Sequence, residues 1–204
     1  MAKKIKAPPG LDYDPVLGNL ENFSFGIIQA KGSNESRQTA EAVIGKRLFP
    51  ISRPADLSLP WPSPTCHRFD VLLPFGASDE FADAQHLSRA YDRQCYGDIR
   101  DLVVIITMRF PQIDAVPATM HLHEAWELGR SFATELVHEH QLAIIAIMHV
   151  PARAARPGLP HIHLMAPARV LLPSGFGKFA RPLATVEGRE IAEKCWSESL
   201  EARP

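Results

Sequence analysis

LAIIAIMHVPARAARPGLPHIHLMAPARV, residues 142–170, reads as two apolar strands joined by a loop rich in Pro and Arg. The first strand ends on His149, and the second opens with His161 and His163 on either side of Ile162. Side chains alternate faces along a strand, so His161 and His163 share one face while Ile162 turns to the other. If the two strands are neighbours, His149 reaches the same face and three imidazoles meet at one end of a sheet. Such a set can hold a metal ion and still leave positions open for a substrate. Single histidines in strands are ordinarily just hydrogen-bonded polar residues, but three at the mouth of one hairpin favour the metal.

At 204 residues and 46% hydrophobic, the chain is long enough for one domain with a full core. Residues 1–22, with scattered Pro and Gly, read as a flexible arm, and residues 23–204 as a single domain. The apolar runs 102–108 and 142–148 are too short to cross a bilayer, and the start at Lys3, Lys4 and Lys6 lacks the apolar stretch of a secretion signal. A soluble, cytoplasmic protein with no membrane partner is expected. Cys66, Cys95 and Cys195 are odd in number and widely spaced, which fits neither a disulfide framework nor a zinc ribbon. The net charge of -1 announces no nucleic-acid binder, but its distribution is uneven. Residues 150–186 contain no acid, yet include Arg153, Arg156, Arg169, Lys178 and Arg181, a composition that suits a polyanion around the histidines.

Outward from the hairpin, residues 23–30 (FSFGIIQA) form a candidate strand, and residues 35–48 a short Ala-rich helix entered from the polar turn 33–36. Five prolines punctuate residues 50–64, a surface loop that Trp61 would pin. Residues 69–73 are a strand or a bound loop. Ser78 opens a helix whose stripe is Phe81, Ala84, Leu87, Tyr91 and Cys95. The β-branched run 102–108 suits a strand covered on both faces. Thr119 is the expected cap of a helix with the stripe Leu122, Trp126, Gly129, Phe132 and Leu136, and a last helix spans about 187–201. His121, His123 and Glu127 imitate a metal pattern, but on a helix residues two apart do not share a face. His138 and His140 fall at the end of that helix, where cations suit the dipole. All four histidines read as surface residues.

The block IAIMHVPARAARPGLPHIHLMAPAR, with GFGKFARPL after it, resembles the core of the MobA/MobL family of plasmid mobilisation relaxases. In that family a strand ending in His, a loop and a strand opening His-hydrophobic-His supply the metal ligands. Upstream, VLLPFGASDEFADAQHLSRAYDRQ resembles its strand and long helix, DLVVIITMRFP one of its strands, and HEAWELGRSFATEL the helix before the hairpin. The resemblance covers roughly residues 25–200. It implies an α+β fold of the HUH endonuclease type, a central antiparallel sheet flanked by helices. It also implies an enzyme that nicks single-stranded DNA at a plasmid transfer origin with Mg or Mn, held here by His149, His161 and His163. Ligand softness alone admits zinc or nickel too.

The family's nucleophilic tyrosine lies in a first helix whose counterpart here runs from Ser36 to Arg47, and that segment contains no tyrosine. Val43 stands at the matching position. Tyr13, in the N-terminal arm, is the remaining candidate nucleophile, while Tyr91 and Tyr96 read as packing residues. The loop from His149 to His161 is longer than the usual family spacing, which marks a divergent member. Lys46, Arg47, Arg153, Arg156, Lys178 and Arg181 are the candidate phosphate contacts. Accessory mobilisation proteins are the expected partners. The alternatives are a relaxase-like module that binds DNA without cutting it, and an unrelated metal-dependent hydrolase.

Overall fold

The computed structural model describes residues 13–31, 37–94 and 99–202. Its strands are β1 (Pro15–Val16), β2 (Phe23–Gln29), β3 (Arg68–Leu72), β4 (Asp101–Arg109), β5 (Ile144–His149), β6 (His161–Pro167), β7 (Arg169–Leu172) and β8 (Gly175–Phe179). Its α-helices are α1 (Ala40–Leu48), α2 (Ala84–Gln94), α3 (Leu122–His140) and α4 (Gly188–Glu201). Six strands form one sheet in the order β1-β2-β4-β6-β5-β3, antiparallel at every pairing. A small hairpin, β7-β8, stands beside it. This is the expected α+β architecture.

Helices cover both faces of the sheet. On one face Val104, Ile106 and Met108 of β4 and Ile162 and Leu164 of β6 pack with Trp126, Phe132 and Leu136 of α3 and Trp196 of α4. On the other, Val103, Ile105, Ile145, Ile147 and Met165 pack with Val43, Ile44 and Leu48 of α1 and Leu87 and Tyr91 of α2. Each large apolar side chain removed from water contributes about 1.5–3 kcal/mol. The doubly covered strands β4, β5 and β6 therefore read as unbroken apolar runs rather than alternating ones.

Gly129 lets α3 lie close to the sheet, because a Cβ there would come 2.7 Å from Ile162 Cδ1. At the other helical layer, the Asp92 carboxylate accepts from Ala40 N (2.7 Å) and Glu41 N (2.9 Å), tying the first turn of α1 to α2. Such bonds satisfy donors that a helix leaves open at its N terminus. The Pro-rich loop is pinned as expected: Trp61 N donates to Gln85 Oε1 (2.9 Å), and the Trp61 ring meets Phe49 edge-on at 5.7 Å.

Three boundaries differ from the sequence reading. Thr119 does not cap α3; His121 does, with Glu124 accepting from His121 N in a reciprocal capping box. The helix at Ser78 begins as a short 3-10 turn, and α2 starts only after Asp83, whose carboxylate accepts from His86 N. Within the expected arm, Pro15–Val16 pairs with β2, and Tyr13 is buried because Gly26, having no side chain, leaves room for its ring. The expected cap at 33–36, Cys95 and Tyr96 fall outside the described residues. Among the described residues no helix is long and apolar enough to cross a membrane.

Candidate metal centre

The register of the central hairpin assembles the histidines. β5 and β6 pair antiparallel with His149 opposite His161 and Ile147 opposite His163. Alternation puts all three imidazoles on the α1/α2 face, in line with Ile145, Ile147 and Met165. The apolar face of the sheet thus turns polar at one end, where Thr107 and Arg109 of β4 complete the row opposite His163 and His161. The ring centroids lie 4.8–5.1 Å apart and the planes cross steeply, at 74–86°. One ligand atom from each residue falls within 4.8 Å of the others, the one group of three or more such residues among those described.

Each ring has one nitrogen committed to a neighbour. His149 Nε2 lies 2.7 Å from the carbonyl of Arg47, in the last turn of α1. His161 Nδ1 lies 2.8 Å from the carbonyl of Leu159, and His163 Nδ1 2.8 Å from Thr107 Oγ1. A carbonyl can only accept, so His149 carries its proton on Nε2 and His161 carries its proton on Nδ1. The opposite nitrogens then bear lone pairs, and His149 Nδ1 and His161 Nε2 face one another at 3.2 Å.

Burial holds the His149 imidazole down to about 4, and burial likewise lowers His161 and puts His163 well below its ordinary value, with the neighbouring imidazoles and Arg109 adding to it. Neutral rings leave the facing lone pairs without a proton between them. A cation would relieve that opposition, and fixing the outer nitrogen through a carbonyl or hydroxyl is how metal-binding imidazoles are oriented. The residues fit a divalent ion, which His149, His161 and His163 would hold through the ring nitrogens not committed to Arg47, Leu159 and Thr107.

The sequence reading missed the three groups that orient the rings. Two are backbone carbonyls and leave no trace in residue type. Thr107, buried at 1% exposure, is visible in retrospect as the one hydroxyl in the run LVVIITM.

The expected phosphate contacts fall in three places. Arg153 and Arg156 sit beside the triad and line, with His67, His149 and His161, a pocket of about 410 Å³. Arg153 Nη1 donates to His67 Nδ1 (3.0 Å) and Arg156 Nη1 to the Pro50 carbonyl (2.8 Å). Lys46 is exposed on α1, but Arg47 is buried at 8% and donates to the Val43 carbonyl. Lys178 lies on β8 and Arg181 just after it, where Ala180 N donates to the Ala168 carbonyl just past the far end of β6. Four to six residues of β6 separate that end of the strand from His163 and His161, about 13–20 Å at 3.3 Å per residue.

Val43 is buried at 3% and carries no attacking group. Tyr13 lies on the histidine face but is 6% exposed, with its ring over Gly26. Tyr91 is fully buried against Phe176, ring centroids 4.9 Å apart. His121 and His123 do face each other, contrary to the helical-wheel argument, with nearly parallel rings (9°) and centroids 5.8 Å apart. His121 is the cap, with extended backbone at φ -100° and ψ 159°, so its side chain does not follow the helical wheel.

No protein-family model matches the sequence, and no curated protein does either. Solved structures do match. A relaxase of vancomycin resistance transfer in Staphylococcus aureus superposes with a TM-score of 0.63 at 20% identity, over 87% of this chain and 88% of that one. The chain has the HUH relaxase fold. The conjugative relaxase TrwC, in a metal-bound complex with oriT DNA, also matches, with a TM-score of 0.46 and 11% identity over 65% of this chain and 58% of its own. At these identities the likeness extends to the relaxase fold alone, and the three histidines are this chain's own evidence for a site.

Proposed function

We propose that this relaxase-fold domain binds and nicks single-stranded DNA at a plasmid transfer origin, in the manner of the MobA/MobL enzymes, around a divalent ion held by His149, His161 and His163. The observation that carries this reading is the convergence of three neutral imidazoles whose outer nitrogens are already committed. Mg or Mn suits the phosphate chemistry, and zinc suits the ligands. When bound, the ion supplies positive charge that polarises a scissile phosphate and offsets the charge of the transition state.

The chain's own residues do the rest. Arg153 and Arg156 hold the flanking phosphates at the mouth of the pocket, and Arg109 adds positive charge beside His161. Tyr13 is the tyrosine assigned to attack; reaching the pocket takes it off Gly26 and displaces the two-residue strand β1. A second reading, a module that binds DNA without a covalent step, is favoured by the buried Val43 at the family's tyrosine position. Accessory mobilisation proteins would complete a transfer apparatus, and the cytoplasm is where such a domain would meet its DNA.

Labelled oligonucleotides spanning transfer origins, incubated with Mn or Mg and resolved on denaturing gels with and without protease, test the proposal. The nicking reading predicts cleavage lost in His161→Ala, and a protease-sensitive adduct lost in Tyr13→Phe. Cleavage without an adduct moves the attack from Tyr13 to water. Salt-dependent binding without cleavage establishes the non-cutting module, and absence of both binding and cleavage overturns the DNA reading.

A further inference from the structure

A second pocket, of about 460 Å³, opens on the opposite face of the hairpin end. It shares His67 and Arg153 with the pocket beside the triad, so the two form one groove around the end of β3 and β5. The second pocket is built from Arg68 on β3, from His121, His123 and Trp126 at the start of α3, and from apolar walls that include Met120 and Met148. Its size lies within the range of sites that enclose a small organic ligand.

Its chemistry is that of a base and its phosphates. His121 and His123 are exposed and stacked nearly parallel, 5.8 Å between centroids, so the pair offers an outer aromatic face. The Arg68 guanidinium lies over the Trp126 ring at 4.7 Å, which holds its donors at the wall, and among the described residues the carboxylate that answers its charge is the exposed Glu127, at 3.8 Å. Trp126 is 1% exposed, and its buried Nε1 has no hydrogen-bond partner among the described residues. No described residue lining either pocket is acidic, while Arg68, Arg153 and Arg156 follow one another along the groove.

We propose that this pocket is a second nucleotide subsite, which stacks one base of a DNA single strand on the His121–His123 pair while Arg68 and Arg153 hold the phosphates on either side. The subsite rests on the reading of the triad as a DNA-nicking centre: the strand that presents a phosphate to His149 and His161 continues past Arg153 around the edge of the sheet. Base stacking on an aromatic platform is tolerant of sequence, so the subsite supplies affinity and register for any base.

The test uses the full chain and a fluorescent dT12 strand carrying a single photoreactive 4-thiothymidine, moved one position at a time, with the crosslinked peptides identified by mass spectrometry. At one position the crosslink is expected within residues 119–126, and at a position a few nucleotides away within residues 149–161. The His121→Ala/His123→Ala pair weakens dT12 binding about five-fold or more. Arg68→Ala lowers the slope of log affinity against log salt by about 0.7, the share of one phosphate contact on a single strand. Both variants keep Mn binding and a cooperative melt, and the double variant, which removes the His121 cap of α3, melts about 2–4 °C lower. Crosslinks confined to 149–161, with unchanged affinity in the double variant, overturn the subsite and leave the triad reading standing. A wild-type protein that binds no dT12 at all overturns both.

Discussion

Replacing Thr107 by Val probes the histidine cluster through a residue that would not itself touch a metal. The exchange keeps the shape of a side chain that is 1% exposed and removes only the hydroxyl 2.8 Å from His163 Nδ1. With that partner gone, His163 Nδ1 has lost its hydrogen-bond partner, a cost of about 1–3 kcal/mol for a buried polar group. The imidazole also becomes free to move its proton to Nε2, the atom it would present to a metal. Loss of such an orienting partner lowers metal affinity about 10–100-fold, which is about 1.4–2.7 kcal/mol. Titration of the metal-free protein with Mn in a calorimeter reads the affinity, and a thermal melt without metal reads the cost to the fold. A drop of about 2–4 °C per kcal/mol is expected for a chain of this size. Thr107→Ser, which keeps the hydroxyl, restores Mn affinity to within a few-fold. Wild-type Mn affinity in a folded Thr107→Val protein would refute the assignment of the cluster as an oriented ligand set.

Two further outcomes test the fold around the site. Burial lowers His149 to about 4, so between pH 6.5 and 4 the unfolded chain takes up protons that the folded chain refuses, and the metal-free protein loses stability as pH falls through that window. The loss reaches up to about 3 kcal/mol from this residue and fades to near zero by about pH 7.5, where both states are almost wholly neutral; urea melts from pH 7.5 to 4.5 measure it, and a flat profile speaks against burial of neutral rings. Gly129→Val drives a branched side chain into Ile162 Cδ1, which a Cβ alone would approach to 2.7 Å, so about 1–3 kcal/mol of overpacking cost is expected in the same melts; unchanged stability would mean that α3 does not sit this close to the hairpin.

The hairpin was legible because a strand's period of two is written directly into HVPARAARPGLPHIH: once the strands pair, His161 and His163 can only share a face. The long β-branched run at β4 and the apolar stripe of α3 were legible for the same reason, since repeated spacing reports which face is buried. The orienting groups were not. The Arg47 carbonyl meets a ring 102 residues away, and nothing in the identity of Arg47 encodes that meeting. It depends on Asp92 fixing the start of α1, so that its last turn ends over His149. The seat of Tyr13 was hidden likewise, because Gly26 reads as a gap in a strand until the Tyr13 ring is seen to cover it. His121 and His123 are surface residues outside the metal cluster, as read, but they do share a side, because a helical wheel does not apply to a cap whose backbone is still extended.

The most direct test of the account is the stoichiometry of metal binding. Protein stripped with chelator and titrated with Mn, followed by the paramagnetic resonance of the free ion, is expected to take up one ion per chain. That uptake should disappear in His149→Ala, His161→Ala and His163→Ala alike, while His138→Ala, outside the cluster, leaves it intact. Tight one-to-one uptake that survives all three triad substitutions, or no uptake of Mn, Mg or Zn by a folded wild-type chain, would contradict the claim that this hairpin is a metal centre.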